Sequence, residues 1–211
     1  MKVIDGDLDL AEFLRPGDRI VLGNACGEPV TLVEALLTQA GSIGGLSAFI
    51  ATSFSGLFTP EAAAGLEMLS MGAIGALRTL ARAGRLGVIP CHLGQVGPMI
   101  EAGLIGCDVA FVQVSPAGEE GNHSLGLVSD HVRAAVARAR VVVAEVNDQV
   151  PFTYGERLAA DEIDYAVPQC EWLRQMPVRT EAVRMLRFLA DALEAGTQPF
   201  TWLHREDPDH G

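Results

Sequence analysis

The chain has 211 residues, 49% of them apolar and 6% aromatic, a composition that supports a substantial core without disulfides and argues against an aromatic-rich β sandwich or a disordered chain. Its 27 acidic residues outnumber 15 basic ones, for a formal net charge of −12 that opposes binding to a nucleic-acid backbone. The opening Met1–Asp7 has no apolar leader core, and the uncharged stretch 35–60 is broken at Gly41–Gly45, so a cytoplasmic chain without a membrane segment is expected.

Short β-branched runs alternate with helical patterns. The turn Arg15–Asp18 leads into a strand over Arg19–Gly23, and a helix follows over Thr31–Ala40 with Leu32, Ala35, Leu36 and Gln39 on one stripe. Strands are expected at Leu46–Ala51 and Leu66–Ser70, then a helix over Ile74–Ala83 ended by Gly84. Leu86–Ile89 is a strand closed by Pro90, and Gln95–Ala102 a helix ended by Gly103. Val109–Val114 (VAFVQV) and Val141–Val146 (VVVAEV) are strands on either side of a helix over His131–Ala139. A longer helix covers Thr180–Ala195.

Nearly continuous apolar strands are buried on both faces, and the intervening helices supply the crossovers that parallel pairing needs. The expected fold is α/β, an open, mainly parallel sheet with helices on both faces. It forms a single domain over residues 1–203, followed by a polar tail, 204–211.

Cys26, Cys91, Cys107 and Cys170 show no Cys-x-x-Cys spacing, and no paired histidines accompany them, which weighs against a zinc site. They read as buried thiols in a reducing compartment. No metal is expected.

In open α/β sheets, ligands bind beyond the carboxyl ends of the strands. Four such ends are candidates. The first is the loop Gly23, Asn24, Ala25, Cys26, Gly27, Glu28, Pro29: its glycines would let a ligand approach the backbone, and the helix start behind Pro29 offers free N–H groups to an anion. A plain βα turn is the competing reading. The second holds His92, able to bind an anion or relay a proton, although a lone histidine is more often structural. Cys91 beside it points the other way on extended chain. The third is the long polar loop from Ser115 through Gly121, His123 and Ser124. At the fourth, Asn147 can donate and accept at once.

Together these segments are similar to the N-terminal half of the acetyl-CoA hydrolase/transferase family, which includes 4-hydroxybutyrate and succinyl-CoA:acetate CoA-transferases. The similarity runs from about Leu14 to Tyr165 and is carried by RPGDRIVLGNACGEPVTLVEAL, by GRLGVIPCHLGQVGPMIEAGLIGCDVAFVQVSPAGEEGNHSLGLVSD and by ARVVVAEVNDQVPFTYGE. It implies a fold of the NagB/RpiA/CoA-transferase type. It also implies nucleophilic carboxylate catalysis, in which a glutamate attacks an acyl-CoA thioester and CoA passes through a glutamyl thioester to an acceptor carboxylate. In the family that glutamate lies in the C-terminal half.

The resemblance therefore implies a half-enzyme with no catalytic residue of its own, working with a partner chain that carries the C-terminal half, or self-associating. Its substrates would be a short-chain acyl-CoA and a carboxylate, with coenzyme A as cosubstrate and no tightly bound cofactor. Where the family often has Pro-Asp after Ser-Pro, this chain has Ala117-Gly118. Glu101 in Glu101-Ala-Gly-Leu-Ile-Gly106 resembles the family's nucleophile motif but closes a helix, as does Glu194. The alternatives are a catalytically silent binding or regulatory module, and a hydrolase using Cys26 or Cys91 with His92 or His123.

Overall fold

Val109–Val114 (β6) and Val141–Val146 (β8) lie side by side, paired in parallel along their whole lengths. The computed structural model describes residues 1–168, within the first of two units of the chain, Met1–Cys170. Six further strands join these two: Lys2–Val3 (β1), Arg19–Leu22 (β2), Ser47–Phe49 (β3), Glu67–Ser70 (β4), Leu86–Val88 (β5) and Tyr165–Pro168 (β10). The order is β1-β10-β8-β6-β2-β3-β4-β5, and every neighbouring pair is parallel. A two-stranded antiparallel ribbon, His123–Ser124 (β7) with Arg157–Leu158 (β9), stands apart from this sheet.

The period-2 alternation of each strand feeds two cores. Ile20, Leu22, Val109, Phe111 and Val143 face one side, where Val30–Ile43 (α1) buries Leu32, Val33, Leu36 and Ala40, and Arg78–Arg82 (α2) buries Leu80. Val21, Ala110, Val112, Val142 and Ala144 face the other, against Leu93–Glu101 (α3) and Val132–Arg138 (α4). Full burial of Leu32 and Leu36 contributes about 1.5–3 kcal/mol each. The sheet is thus open and parallel with helices on both faces.

Differences from the sequence reading lie at element ends. Helix α2 begins at Arg78 rather than Ile74, because Gly75, at φ 62, pairs with Ser53 and Ala76 N donates to the Ser53 carbonyl, holding this stretch out of the helix. Helix α1 runs on to Ile43. β1, β10 and the β7–β9 ribbon were not read from the sequence, their runs of two to four residues being too short to show a period. The helix expected over Thr180–Ala195, the domain limit at 203, Cys170 and Glu194 lie outside the described residues.

Candidate functional site at the carboxyl edge of the sheet

From β2 the chain steps outward through β3, β4 and β5, then returns to lay β6 on the other side of β2. Such a reversal opens a crevice beyond the strand ends, the usual ligand position in this architecture. The 23–29 loop leaves β2 at this point, and the 115–124 loop leaves β6.

The 23–29 loop is held by protein contacts on both sides of its tip. Gly23 N donates to the Phe111 carbonyl at 2.8 Å, and a Cβ on Gly23 would strike the carbonyl oxygen of Gly27. A Cβ on Gly27 would sit 3.3 Å from the Val128 carbonyl oxygen. Both glycines therefore admit the chain's own backbone, where the sequence suggested room for a ligand. Asn24 is buried and donates from Nδ2 to Asp130 at 3.1 Å. Ala25 takes φ 53, a strained value for a residue with a side chain, fixed by its N–H donating to the Thr52 carbonyl at 2.9 Å. The Cys26 side chain is exposed at the tip.

Glu28 is 2% exposed. Its carboxylate accepts from Ser55 Oγ at 2.7 Å, from Ser53 Oγ at 2.9 Å and from Phe54 N at 3.3 Å. Burial raises the proton affinity of this carboxyl above the ordinary glutamate value, and the serine hydroxyls partly offset it. The Glu28 main-chain oxygen accepts from Gln113 Nε2 at 2.6 Å, and Gln113 Oε1 accepts from Asn147 Nδ2 at 3.1 Å. Asn147 Oδ1 in turn accepts from Gln149 N at 2.9 Å. One connected set of polar groups therefore spans the ends of β3, β2, β6 and β8.

Beside Gln113, in register with it on β8, stands Glu145, 0% exposed. Its Oε2 accepts from Thr31 N, in the first turn of α1, at 2.6 Å. A carboxylate from the protein thus already occupies the helix start that the sequence offered to an anionic ligand, and it suits the positive end of the helix dipole. The sequence places Glu145 at the start of the fourth strand-end segment without assigning it a role, and does not single out Gln113. The signal was there: each is the one polar side chain, at the fifth position, in an otherwise apolar run of six.

The 115–124 loop is tied to itself and to the ribbon. Ser115 Oγ accepts from Ser124 N at 2.9 Å, and Ser124 Oγ accepts from Gly126 N and Thr153 N. His123, 3% exposed, meets the Ser115 carbonyl through Nδ1 at 2.8 Å, so Nδ1 carries the proton, and the buried Nε2 has no hydrogen-bond partner among the described residues. Gly121, at φ 75, closes the turn back to Gly118. On the next loop His131 Nε2 donates to the Leu22 carbonyl at 3.1 Å, and burial lowers its pKa.

His92 is exposed and caps α3 behind the edge strand β5, where its N–H donates to Gln95 Oε1 at 3.0 Å. Three strand spacings, roughly 14 Å, separate its strand from β2. Ser115, His123, Ser124 and Asn147 stand at the ends of β6 and β8 with the 23–29 loop, while His92 lies apart. The expectation of buried thiols holds for Cys107, which burial pushes up to about 12, but Cys26 is exposed and Cys91 half-buried because both sit in strand-end loops. Among the described residues no hydrogen bond joins a cysteine to a histidine, and no cluster of three metal-ligating side chains occurs. Glu101 is the exposed last residue of α3, at the opposite edge of the sheet. An open groove of about 610 Å³ also lies at that edge, lined largely by glycine and aliphatic residues, with Glu67 and Arg85 as its charged members. It is remote from the polar network. No helix among the described residues is long and apolar enough to cross a membrane.

A family model for the acetyl-CoA hydrolase/transferase N-terminal domain matches residues 2–174. The chain belongs to the acetyl-CoA hydrolase/transferase family. It is 32% identical over 157 residues to a 4-hydroxybutyrate coenzyme A transferase of Clostridium kluyveri, a match covering 71% of this chain and 35% of that protein. The structure resembles RipA from Yersinia pestis, with a TM-score of 0.68 at 25% identity, covering 74% of this chain and 40% of that one. It also resembles a 4-hydroxybutyrate CoA-transferase from Porphyromonas gingivalis, with a TM-score of 0.61 at 28% identity over 80% of this chain and 39% of that one. The chain thus spans well under half the length of these relatives. The acetyl-CoA hydrolase/transferase similarity reaches into β1 and β10, beyond the stretch recognised in the sequence.

Proposed function

We propose that this domain forms one wall of the substrate pocket of a CoA-transferase or acyl-CoA hydrolase, with the nucleophilic glutamate supplied by a C-terminal half of the family on a separate partner chain. Its substrates are a short-chain acyl-CoA and an acceptor carboxylate, and coenzyme A enters and leaves as cosubstrate.

The observation that carries this reading is the state of the polar groups at the carboxyl edge. Glu28, Gln113, Asn147, Ser115 and Ser124 each hold another part of the protein, and among the described residues none is arranged as a nucleophile with its base. Such an edge can shape and orient a substrate, which supports an attacking group supplied from elsewhere. Family membership and the 35–40% coverage of relatives agree with a second half completing the pocket.

In this assignment the partner's glutamate attacks the thioester carbonyl and CoA leaves as its thiolate. The anhydride so formed is attacked by that thiolate, releasing the first carboxylate. That leaves a glutamyl-CoA thioester, which the acceptor carboxylate attacks to form a second anhydride and release CoA thiolate; the thiolate then attacks the acceptor's acyl carbonyl, forming the new acyl-CoA and freeing the glutamate. Whether water replaces the acceptor is decided by how well the wall excludes it.

The test is co-expression with a C-terminal half of the family encoded in the same genome, followed by sedimentation, by thiol-release assays for hydrolysis of acetyl- and butyryl-CoA, and by assays for CoA transfer from butyryl-CoA to acetate. A stable complex, of the kind that buries ~2,000 Å² or more, together with turnover supports the proposal. A monomer that binds no such half leaves a catalytically silent module as the better reading.

A further inference from the structure

We propose that Glu28 is a positioning residue. Its carboxylate fixes the 53–55 turn beyond β3 against the 23–29 loop beyond β2, so that the two strand ends act as one rigid surface toward the acyl-CoA. The consequence for substrate rests on the function proposed above; the positioning itself does not.

The geometry is asymmetric in a telling way. Three donors converge on one buried carboxylate, and all three belong to consecutive residues, Ser53, Phe54 and Ser55. The main chain of the same glutamate is held from the other side by Gln113. Glu28 is therefore the joint between the turn and the rest of the carboxyl edge. The Phe54 ring, 57% exposed, rides on this turn and rests over Gly75. An exposed ring on a turn whose flanking hydroxyls and own amide are all clamped is a ring held in place, and held at the edge where a ligand is expected.

Stability alone does not account for the arrangement. A buried carboxylate is costly even when paired, and an apolar side chain with apolar neighbours at these positions would serve the core as well or better. What three converging hydrogen bonds add is a single defined geometry. The turn also has an anchor independent of Glu28: Ser53 bridges Gly75, and the Ser53 carbonyl accepts from Ala76 N at 2.8 Å. Removing the carboxylate should loosen the turn without dismantling the sheet.

Amide hydrogen exchange on the purified full chain tests the positioning in Glu28→Ala, Glu28→Gln and Glu28→Asp. Exchange across residues 54–57 is expected to rise roughly tenfold or more in Glu28→Ala, the loss of one or two hydrogen bonds, with β2 and β6 unchanged. Glu28→Gln, which keeps the volume and one good acceptor, should fall between. Unchanged exchange in 54–57, or an equal rise in β2 and β6, overturns the proposal.

The second arm uses the reconstituted pair. The KM for acyl-CoA is expected to rise roughly tenfold in Glu28→Ala with kcat within about twofold, and Glu28→Asp to recover part of the loss. Equal falls in kcat for all three variants with unchanged KM would overturn a role toward substrate. Absence of turnover by the wild-type pair would count against the proposed function, while the exchange arm would still decide the role of Glu28.

Discussion

The side-chain amide of Gln113 donates to the main-chain oxygen of Glu28 at 2.6 Å, joining the end of β6 to the loop that enters α1. Both residues are buried; Gln113 lies on β6 and Glu28 in the loop beyond β2, and these two strands are neighbours where the strand order reverses. The carboxyl edge at this reversal is thus held by a polar joint as well as by packing.

Replacing Gln113 by Leu should cost about 1–3 kcal/mol, since a buried carbonyl loses its donor and Asn147 Nδ2 loses an acceptor. Urea unfolding of the variant against the wild type measures this. A neutral substitution would mean that water or rearrangement satisfies Glu28 and that the joint is not rigid.

Gly23→Ala should be more damaging than Gly27→Ala. The first drives a Cβ into a backbone carbonyl that cannot move without opening the loop, and overpacking of this kind costs about 1–3 kcal/mol. The second meets Val128 at 3.3 Å, a contact that a few tenths of an ångström relieve. Thermal melts of both variants give the order, and the reverse order would contradict the loop geometry.

His131 and Glu28 should pull stability in opposite directions with pH. The His131 pKa is lowered in the fold because burial penalises the charged ring, whose second N–H would sit at a buried Nδ1 with no partner among the described residues. Its contribution is complete above the unfolded value of about 6.5 and is lost as pH falls through the folded value. His131→Gln, which keeps a donor for the Leu22 carbonyl, should therefore lose less stability than the wild type between pH 7 and pH 5. Equal losses would show that another group controls this range.

The Glu28 pKa is raised, so its contribution is complete below the unfolded value of about 4.3 and is lost as pH rises through the folded value. Relative to wild type, Glu28→Gln should gain in melting temperature from pH 4 to pH 8. A constant difference would mean that the carboxylate is charged at no cost in the fold.

The parallel sheet was legible in the sequence because VAFVQV and VVVAEV are buried on both faces and so read as continuous apolar runs. The loops bearing the site were legible for the same reason, since a strand of known direction fixes where its carboxyl end lies. What those loops do with their polar groups was not. Asn24 finds Asp130 across 106 residues and Glu145 finds Thr31 across 114, and no local pattern encodes such partners. Cys26 read as buried from its residue type, yet a three-residue 3-10 turn lifts it into solvent. The acetyl-CoA hydrolase/transferase resemblance was carried by long stretches and needed no geometry, whereas Gln113 and Glu145 needed the register of β6 on β8 to become visible as a pair.

The most direct measurement is steady-state turnover of acetyl-CoA with a carboxylate acceptor by the purified chain alone, by the chain with a C-terminal half of the family, and by that pair with the partner's nucleophilic glutamate changed to glutamine. The account predicts negligible turnover by the chain alone, robust turnover by the pair, and loss of activity in the third case. Robust turnover by the chain alone would contradict it and would return Glu101 or a cysteine to consideration as the nucleophile.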